Sequence, residues 1–397
     1  GFSCRDIRVG KAPSANAFGK LLSGDFDGDE TPTTVFADHY GLIQSRFYRE
    51  VSSESLKYAG MTGLVSSLGD PNTLFMEPRD AEDFSIETRG NYGGIGARMG
   101  GSPLGARVGT VFSGGPADIA GLKPGDLIVK VDGQQANGAS VDDVVALIRG
   151  EKGTAVVLTV IRQDVEGEFD IRIVRDQVVV PTAEAQILED ENIGYINVTQ
   201  FSQPTFDQFF QAMRTVLNED PDGIVIDLRQ NPGGLLNITA EMLSLFLDQK
   251  LVVTMEQKNG RDEKVLTKSG RTLNISCPIV VLVNGGSASA SEIFAGVLRD
   301  YKMATVVGET TYGKASVQNA ILLRDLSTVK VTTARYILPS GENLSRVVDE
   351  DGVYVSGGLQ PHVTVELEQR PDFILGDPET DNQMQAAIEV IREKIGD

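Results

Sequence analysis

Short apolar runs alternate with amphipathic stretches through the second half of the sequence, and this alternation constrains the fold more than any other feature. Several runs are rich in β-branched residues and bounded by turn residues, which is typical of buried strands. Strands are predicted at Ile193–Val198, Gly223–Leu228, Pro278–Val283, Thr305–Val307 and Val329–Arg335. Helices are predicted between them at Phe206–Asn218, Ala240–Leu247 and Ser291–Arg299. Strands that alternate with helices favour an α/β core.

The chain also divides by composition along its length. At 397 residues it exceeds the size of one ordinary domain, so we expect a multidomain fold with α+β and α/β parts. The predicted parts are a flexible acidic arm at 1–34, an N-terminal helical region at 35–90, a small β domain at 91–165, the α/β core at 166–367 and a C-terminal helical tail at 368–397.

The charged and histidine residues exclude several classes of function. The formal net charge of −20 argues against binding to nucleic acid or anionic lipid through charge. His39 and His362 are the only histidines, and they lie far apart in the sequence. A zinc site built on paired histidines is therefore not expected. If the chain is a hydrolase, we expect a base other than histidine. No metal or organic cofactor is implied.

The sequence also bears on where the protein resides. No stretch approaches the roughly 18 consecutive apolar residues that a bilayer-spanning helix needs. The sequence starts at Gly1 without methionine. We therefore expect that an export segment has been removed and that the protein lies outside the cytoplasm, in the periplasm or cell envelope.

A glycine-rich loop opens the small β domain. It reads Tyr92-Gly93-Gly94-Ile95-Gly96, and its glycines allow successive backbone N–H groups to point into one concavity that suits a peptide carboxylate. By itself such a loop is as often a simple turn. The turn and short-helix residues from Pro116 to Gly133 strengthen its interpretation as a binding loop.

A strand, a turn of small residues and a helix follow one another between Val281 and Asp300. This order places Ser289 and unpaired backbone N–H groups at the positive end of a helix. Such a geometry exposes a nucleophile and stabilises an oxyanion. The alternative is structural, because Ser289 and Glu292 also have the spacing of a capping box.

A candidate base lies 25 positions after Ser289, at Lys314, in a stretch of turn residues that follows the predicted strand Thr305–Val307. A lysine acts as a general base only where burial or neighbouring charge lowers its pKa from about 10.4 toward the working pH. The alternative is an ordinary surface lysine, which is the commoner situation.

A third segment, from Ile224 to Gly234, has the pattern of a buried strand that ends in a glycine turn before a helix. The backbone N–H groups of this turn are natural oxyanion donors. The same pattern equally describes a tight connection between a strand and a helix.

The three segments, in this order and spacing, resemble the carboxyl-terminal processing (tail-specific) serine peptidases, from about Phe36 to the end of the chain. The resemblance implies a helical N-terminal region, an inserted PDZ domain and a crotonase-like α/β peptidase core. It implies that Ser289, the middle serine of the stretch 287–291, is the nucleophile and that Lys314 is the general base.

The resemblance also implies the supporting residues of the site. Gln318 matches the residue that orients the lysine in some members of the family. The backbone N–H groups of Ala290 and of Gly233 or Gly234 would form the oxyanion hole.

The segment from Tyr92 to about Arg162 resembles a PDZ domain of the kind found in bacterial proteases. The resemblance implies that a peptide C-terminus adds as a strand beside Ile95, with the predicted helix Val141–Arg149 as the other wall of the groove. The partners implied are proteins or peptides with exposed C-termini. A homo-oligomer and an activating adaptor are further partners that the resemblance allows.

Two other functions fit part of the sequence. A peptide-binding scaffold would use the PDZ domain and keep the core for its shape, but the intact Ser289, Lys314 and Gln318 argue against it. A crotonase-like enzyme acting on thioesters would use the oxyanion donors, but it has no use for a serine–lysine pair.

Overall fold

The structure is a computed structural model that describes residues 31–258 and 260–396. The chain divides into two compact units at Phe75 and Met76. Most of the acidic arm predicted at 1–34 lies outside the described residues. Its predicted end is too late, because a helix already begins at Pro32, where the Thr31 side chain accepts a hydrogen bond from the Thr34 N–H. Proline at the first helical position favours a helix start at this point.

The first unit contains two helices, α1 (Pro32–Arg46) and α2 (Ser53–Ser66). The Tyr40 hydroxyl of α1 donates a hydrogen bond to the Ser53 carbonyl at the start of α2. A short strand, β1 (Leu74–Met76), lies at the boundary.

The second unit begins with α3 (Pro78–Arg89), which falls inside the helical region predicted at 35–90 although the sequence patterns gave it no bounds of its own. Most of its residues are polar or charged, and Ala81 is its one fully buried residue. The helix therefore lacks the broad apolar stripe on which recognition of a helix by periodicity depends.

The small β domain follows α3. Its elements are β2 (Asn91–Gly94), β3 (Ala97–Ser102), β4 (Gly105–Val111), α4 (Pro116–Ile119), β5 (Leu127–Val131), β6 (Gln134–Gln135), α5 (Val141–Ile148), β7 (Ala155–Ile161), β8 (Glu168–Val174) and β9 (Asp176–Val179). The main sheet has the order β3–β4–β5–β7–β8, which leaves β3 at an edge. Helix α5 buries Val144 and Ile148 in a core with Ile128, Leu158 and Ile173.

The α/β core and the C-terminal helix complete the chain. Their elements are β10 (Ala183–Leu188), β11 (Ile193–Val198), α6 (Thr205–Asn218), β12 (Gly223–Asp227), α7 (Leu236–Leu243), β13 (Leu251–Gln257), β14 (Glu263–Leu266), β15 (Ile279–Val283), α8 (Ala290–Asp300), β16 (Thr305–Gly308), β17 (Ser316–Leu322), β18 (Thr328–Ile337), β19 (Val347–Val348), β20 (Tyr354–Ser356), β21 (Val363–Thr364) and α9 (Asn382–Gly396).

The central sheet has the order β10–β11–β12–β15–β16–β21, and its strands from β11 onward run parallel. Because successive strand residues face opposite sides, one sheet feeds two cores. Ile224 and Ile226 pack in the core of α6, α7 and α8, with Phe209 and Phe294. Val225 packs in the core on the other face, with Ile388 of α9. The sheet therefore lies between two helical layers.

This topology brings two loops together. Strands β12 and β15 are parallel neighbours. The loops that leave their carboxyl ends therefore emerge at the same edge of the sheet, which is where α/β proteins place their sites. An antiparallel sheet of order β17–β18–β13–β14 supplies the strand that follows Lys314.

One predicted helix is displaced in the structure. The prediction Ala240–Leu247 corresponds to α7 at Leu236–Leu243. Leu245, Phe246 and Leu247 are buried, but they lie in the turn and loop after the helix. The prediction included them in the helix because a run of apolar residues indicates burial but does not distinguish a helix from a buried loop. Within the described ranges, no helix has the length and apolar character needed to cross a bilayer.

Candidate active site

Ser289 lies at the junction of the buried strand β15 and helix α8, as the N-cap residue of α8. Its backbone has φ +55° and ψ −112°, a conformation that non-glycine residues rarely adopt. Strain of this kind at a turn persists only where the surrounding structure holds it. The turn presents Ser289 at the N-terminal end of α8, where the helix dipole favours developing negative charge.

The serines on either side of Ser289 have structural partners. The Ser287 hydroxyl donates to the Leu228 carbonyl at 2.8 Å, and the Ser291 hydroxyl donates to the Asn231 carbonyl at 2.9 Å. Both side chains are fully buried. They attach the Ser289 turn to the loop after β12, so the two parallel strand ends are joined by hydrogen bonds.

Ser289, Lys314 and Gln318 line one cavity of about 770 Å³. The oxyanion candidates Gly233, Gly234 and Ala290 line the same cavity. The structure therefore brings together all the predicted catalytic-core residues, which come from three separate parts of the chain. The predicted PDZ loop, residues 92–96, lies elsewhere in the small β domain. His39 and His362 are not among the cavity residues, and the His362 Nδ1 accepts a hydrogen bond from the Val306 N–H.

Lys314 reaches the cavity from the loop between β16 and β17 and is half-buried. Both backbone polar groups of Lys314, its N–H and its carbonyl, are hydrogen-bonded. The Lys314 N–H donates to Glu292 Oε2 at 2.9 Å, and the Tyr336 hydroxyl donates to the Lys314 carbonyl at 2.8 Å. These contacts place the lysine side chain by fixing the backbone from which it extends.

Glu292 is a functional candidate that sequence reasoning treated only as a cap. Its fully buried carboxylate does accept a hydrogen bond from the Ser289 N–H, as a cap would, but it also accepts from the Thr311 hydroxyl and from the Gly313 and Lys314 N–H groups. Burial raises the pKa of Glu292, although these four donors oppose the rise. The sequence gives one indication of this role, which is a carboxylate in an otherwise apolar turn of a helix. It does not indicate which distant residues the carboxylate contacts.

The glycine loop after β12 has a conformation that requires glycine. Gly233 has φ +99° and Gly234 has φ +146°, and a Cβ on Gly233 would lie 2.6 Å from the Ala288 carbonyl oxygen. The Gly233 N–H donates to Asn231 Oδ1 at 2.9 Å. The Gly233 N–H therefore already has an acceptor within its own loop.

Gln318 lies on β17, opposite Thr332 of β18. Its side-chain amide donates to Ser316 Oγ at 2.8 Å and to Thr332 Oγ1 at 3.1 Å. These bonds fix the plane of the amide on the wall of the cavity that it shares with Lys314.

A buried ionic cluster supports the base of the glycine loop. Arg229 forms ion pairs with Asp227 and Asp381 at 2.6 and 2.7 Å, and all three side chains are almost fully buried. The Tyr195 hydroxyl donates to Asp227 Oδ2. Although burial opposes ionisation, the hydrogen bonds and charge of Arg229 lower the pKa of Asp381. The cluster ties Asp381, the residue before α9, to Asp227 at the end of β12 and to Arg229, which lies one residue before the loop turns at Gln230.

The chain is similar to known families and proteins over most of its length. The profile of peptidase family S41 matches residues 192–365, and that of the PDZ domain matches residues 107–162. The chain is 36% identical over 335 residues to the carboxy-terminal processing protease CtpA of Bacillus subtilis, covering 84% of this chain and 68% of that protein. It is 33% identical over 335 residues to the carboxy-terminal-processing protease of Bartonella bacilliformis, covering 83% of this chain and 74% of that protein.

A solved structure assigned to the S41 proteases, from Bacteroides fragilis, aligns with a TM-score of 0.53 at 15% identity and covers 89% of this chain and 97% of that chain. At this identity the likeness concerns the fold alone. The fold and the matches together define a serine peptidase with a PDZ domain and mixed α/β content. The chain belongs to peptidase family S41, among the carboxy-terminal processing proteases, which confirms the predicted family and class of enzyme.

Proposed function

We propose that the chain is an endopeptidase that cleaves proteins with Ser289 as nucleophile and Lys314 as general base. The observation that carries this proposal is that both residues line one cavity together with the glycine loop, at the N-terminal end of α8. The hydrogen bonds of Ser287 and Ser291 to the neighbouring loop support the choice of the middle serine. Among the described residues no histidine lines this cavity, which favours lysine as the candidate base.

The reaction begins when neutral Lys314 Nζ takes the proton of Ser289 Oγ as that oxygen attacks the scissile carbonyl carbon. The tetrahedral oxyanion accepts hydrogen bonds from the Ala290 N–H at the N-terminus of α8 and from the Gly234 N–H in the loop after β12. The C–N bond then breaks, Lys314 gives its proton to the leaving amine, and an acyl ester remains on Ser289. A water molecule then loses a proton to Lys314 and attacks the ester carbon. The C–O bond to Ser289 breaks, and Lys314 returns the proton to Ser289 Oγ.

Gln318 has a positioning role in this proposal. Its amide NH₂ is held by Ser316 and Thr332, so the orientation of its carbonyl oxygen is set by the antiparallel sheet. An oriented amide on the wall beside Lys314 restricts the positions that the flexible lysine side chain can take.

The PDZ domain supplies the substrate in this proposal. Strand β3 lies at a sheet edge with α5 packed beside it, which is the geometry that accepts an extended peptide as an added strand. The tail's carboxylate would lie at the loop 92–96, and its last side chain would lie against the apolar surface near Ile95 and Val144. We also propose that the protein acts outside the cytoplasm. It would act as a homo-oligomer and be activated by an adaptor protein, and neither of these depends on the catalytic mechanism.

The experiment compares cleavage of casein, an unstructured protein, by the wild type and by Ser289→Ala and Lys314→Met. Both variants are expected to lose activity by several orders of magnitude, because nucleophile and base act as a unit. Ser340→Ala and Lys264→Met, which change exposed residues of the same types, serve as controls and retain activity. Equal cleavage by wild type and Ser289→Ala would contradict the proposal.

A further inference from the structure

The hydroxyl group of Tyr336 lies where the main chains of the proposed nucleophile and the proposed base approach one another. It donates to the Lys314 carbonyl oxygen at 2.8 Å and lies 3.4 Å from the Ser289 carbonyl oxygen. Ser289 and Lys314 belong to different loops, after β15 and after β16. Each loop therefore presents a backbone carbonyl to one phenol, which can donate its single proton to either.

Tyr336 is anchored by the antiparallel sheet rather than by the two loops that it contacts. It lies in β18, which pairs with β13 at Met255 and, through the neighbouring Arg335, with β17 at Ser316. The Tyr336 N–H donates to the Ala315 carbonyl at 3.0 Å. The residue is 1% exposed, and its ring packs in the core of the α/β domain. Because close-packed side chains in a core have little room to move, the sheet determines the position of the hydroxyl.

A carboxylate and a phenol hold the same two residues through opposite backbone groups. Glu292 accepts from the N–H groups of Ser289 and Lys314, at 2.7 and 2.9 Å, whereas the Tyr336 hydroxyl faces their carbonyls. The two groups come from different layers of the fold, Glu292 from α8 and Tyr336 from β18. Contacts to the N–H and to the carbonyl of each residue leave the two loops little freedom to shift relative to one another.

The phenol keeps its proton. Burial and the nearby negative charge of Glu292 raise the pKa of Tyr336 well above its ordinary value of 10.0. A protonated phenol is a hydrogen-bond donor toward a carbonyl oxygen, and it neither takes up nor releases protons near neutral pH. The contribution of this hydroxyl to a reaction in the cavity is therefore geometric.

We infer that Tyr336 is a positioning residue of the proposed peptidase reaction, whose hydroxyl sets the separation of Ser289 and Lys314 through their main-chain carbonyls. The inference rests on the proposed roles of Ser289 and Lys314 and adds a residue from outside the segments that the sequence singles out. The simpler alternative is a hydroxyl that only satisfies its own hydrogen bond in the core. Such a hydroxyl would stabilise the fold without affecting turnover.

The first experiment measures kcat and KM in the full-length protein, with a fluorogenic peptide that the wild type cleaves. Tyr336→Phe keeps the ring and removes the hydroxyl, so kcat should fall roughly tenfold through loss of alignment, with KM unchanged. Tyr301→Phe is the matched control. The Tyr301 hydroxyl also donates to a backbone carbonyl, that of Leu251 at 3.1 Å, but neither residue lines the cavity, so kcat should not change. Equal kcat values in the two variants overturn the inference, as does a loss confined to KM.

A double-mutant cycle tests whether Tyr336 and Glu292 act on the same separation. If they do, the loss of kcat in the variant carrying both Tyr336→Phe and Glu292→Gln should be smaller than the product of the two single losses. Misalignment produced by one substitution leaves less for the other to remove. Losses that simply multiply indicate independent effects and overturn the inference.

Amide hydrogen exchange in the absence of substrate separates this inference from the proposed function. Loss of the Tyr336 hydroxyl loosens the loops, so exchange of the Ser289 and Lys314 N–H groups should accelerate in Tyr336→Phe and stay unchanged in Tyr301→Phe. Unchanged exchange in Tyr336→Phe overturns the inference whatever the kinetics show. Equal cleavage by the wild type and Ser289→Ala would instead refute the proposed nucleophile, while the exchange result would still decide whether Tyr336 holds the two loops.

Discussion

The backbone N–H groups of Ser289 and Lys314 donate to the same oxygen atom, Oε2 of Glu292, at 2.7 and 2.9 Å. The proposed nucleophile and the proposed base come from different loops, one after β15 and the other after β16. A single buried carboxylate therefore sets the distance between the two backbones from which the proposed catalytic side chains extend.

Replacing Glu292 by glutamine should reduce activity about tenfold or more while the chain still folds. Glutamine keeps the size of the side chain, but its NH₂ group cannot accept hydrogen bonds, so two of the four donors around residue 292 lose their acceptor. The loops carrying Ser289 and Lys314 then shift relative to one another. The loss should appear in kcat for casein or a peptide substrate, with KM little changed. Glu368→Gln, at an exposed glutamate, is the control; equal kcat values in the two variants would argue against this role.

The same substitution predicts a pH dependence of stability. Burial raises the pKa of Glu292 in the folded protein above its ordinary value of 4.5. Below pH 4.5 the group is protonated in both states, and as the pH rises the unfolded chain releases its proton first. The free energy of unfolding of the wild type, relative to Glu292→Gln, should therefore fall as the pH rises from 4.5 through the raised pKa. Urea denaturation at a series of pH values measures it, and a difference that grows with pH would contradict the sign.

Gly233 offers a test of the loop geometry with a matched control nearby. Gly233→Ala places a Cβ against the Ala288 carbonyl oxygen in a backbone conformation that alanine disfavours, so the loop must move. We expect a loss of activity of about a hundredfold, because displaced oxyanion donors cost this much in related chemistry. Gly285→Ala, where a Cβ meets no neighbouring atom, should retain activity. Similar activities in the two variants would show that the loop does not need its present conformation.

Arg229 should be required for stability. Arg229→Met leaves Asp227 and Asp381 buried without their cation, which costs about 3–5 kcal/mol when one partner of a buried pair is removed. Denaturant unfolding followed by circular dichroism measures the change. Arg370→Met breaks the exposed pair with Asp372 and should leave stability almost unaltered. A change of less than about 1 kcal/mol in the free energy of unfolding of Arg229→Met would contradict this prediction, because Asp227 and Asp381 would then be tolerated without the arginine.

Several elements could be predicted from local sequence because their signals are local. The strand Ile193–Val198 has the predicted bounds, and the strands Gly223–Asp227 and Ile279–Val283 each differ from their prediction by one residue, since β-branched runs between turn residues leave little ambiguity. The prediction included helix α3 in the helical region 35–90 but gave it no bounds, because most of its residues are polar or charged. Its side chains Phe84, Glu87 and Thr88 nevertheless line the cavity of Ser289. A part of the candidate site therefore comes from a helix that the apolar pattern does not delimit.

The sequence by itself determined the alternation of strands and helices, the shortage of histidine, and the serine, lysine and glycine segments by which the family is recognised. The tertiary structure decided which backbone groups those segments present to one another. Ser287 is bound to Leu228, Glu292 to Lys314, and the Gly233 N–H to its own loop rather than to the cavity. The first two contacts join residues that periodicity treats independently, because they become neighbours only when parallel strands bring their loops to one edge of the sheet.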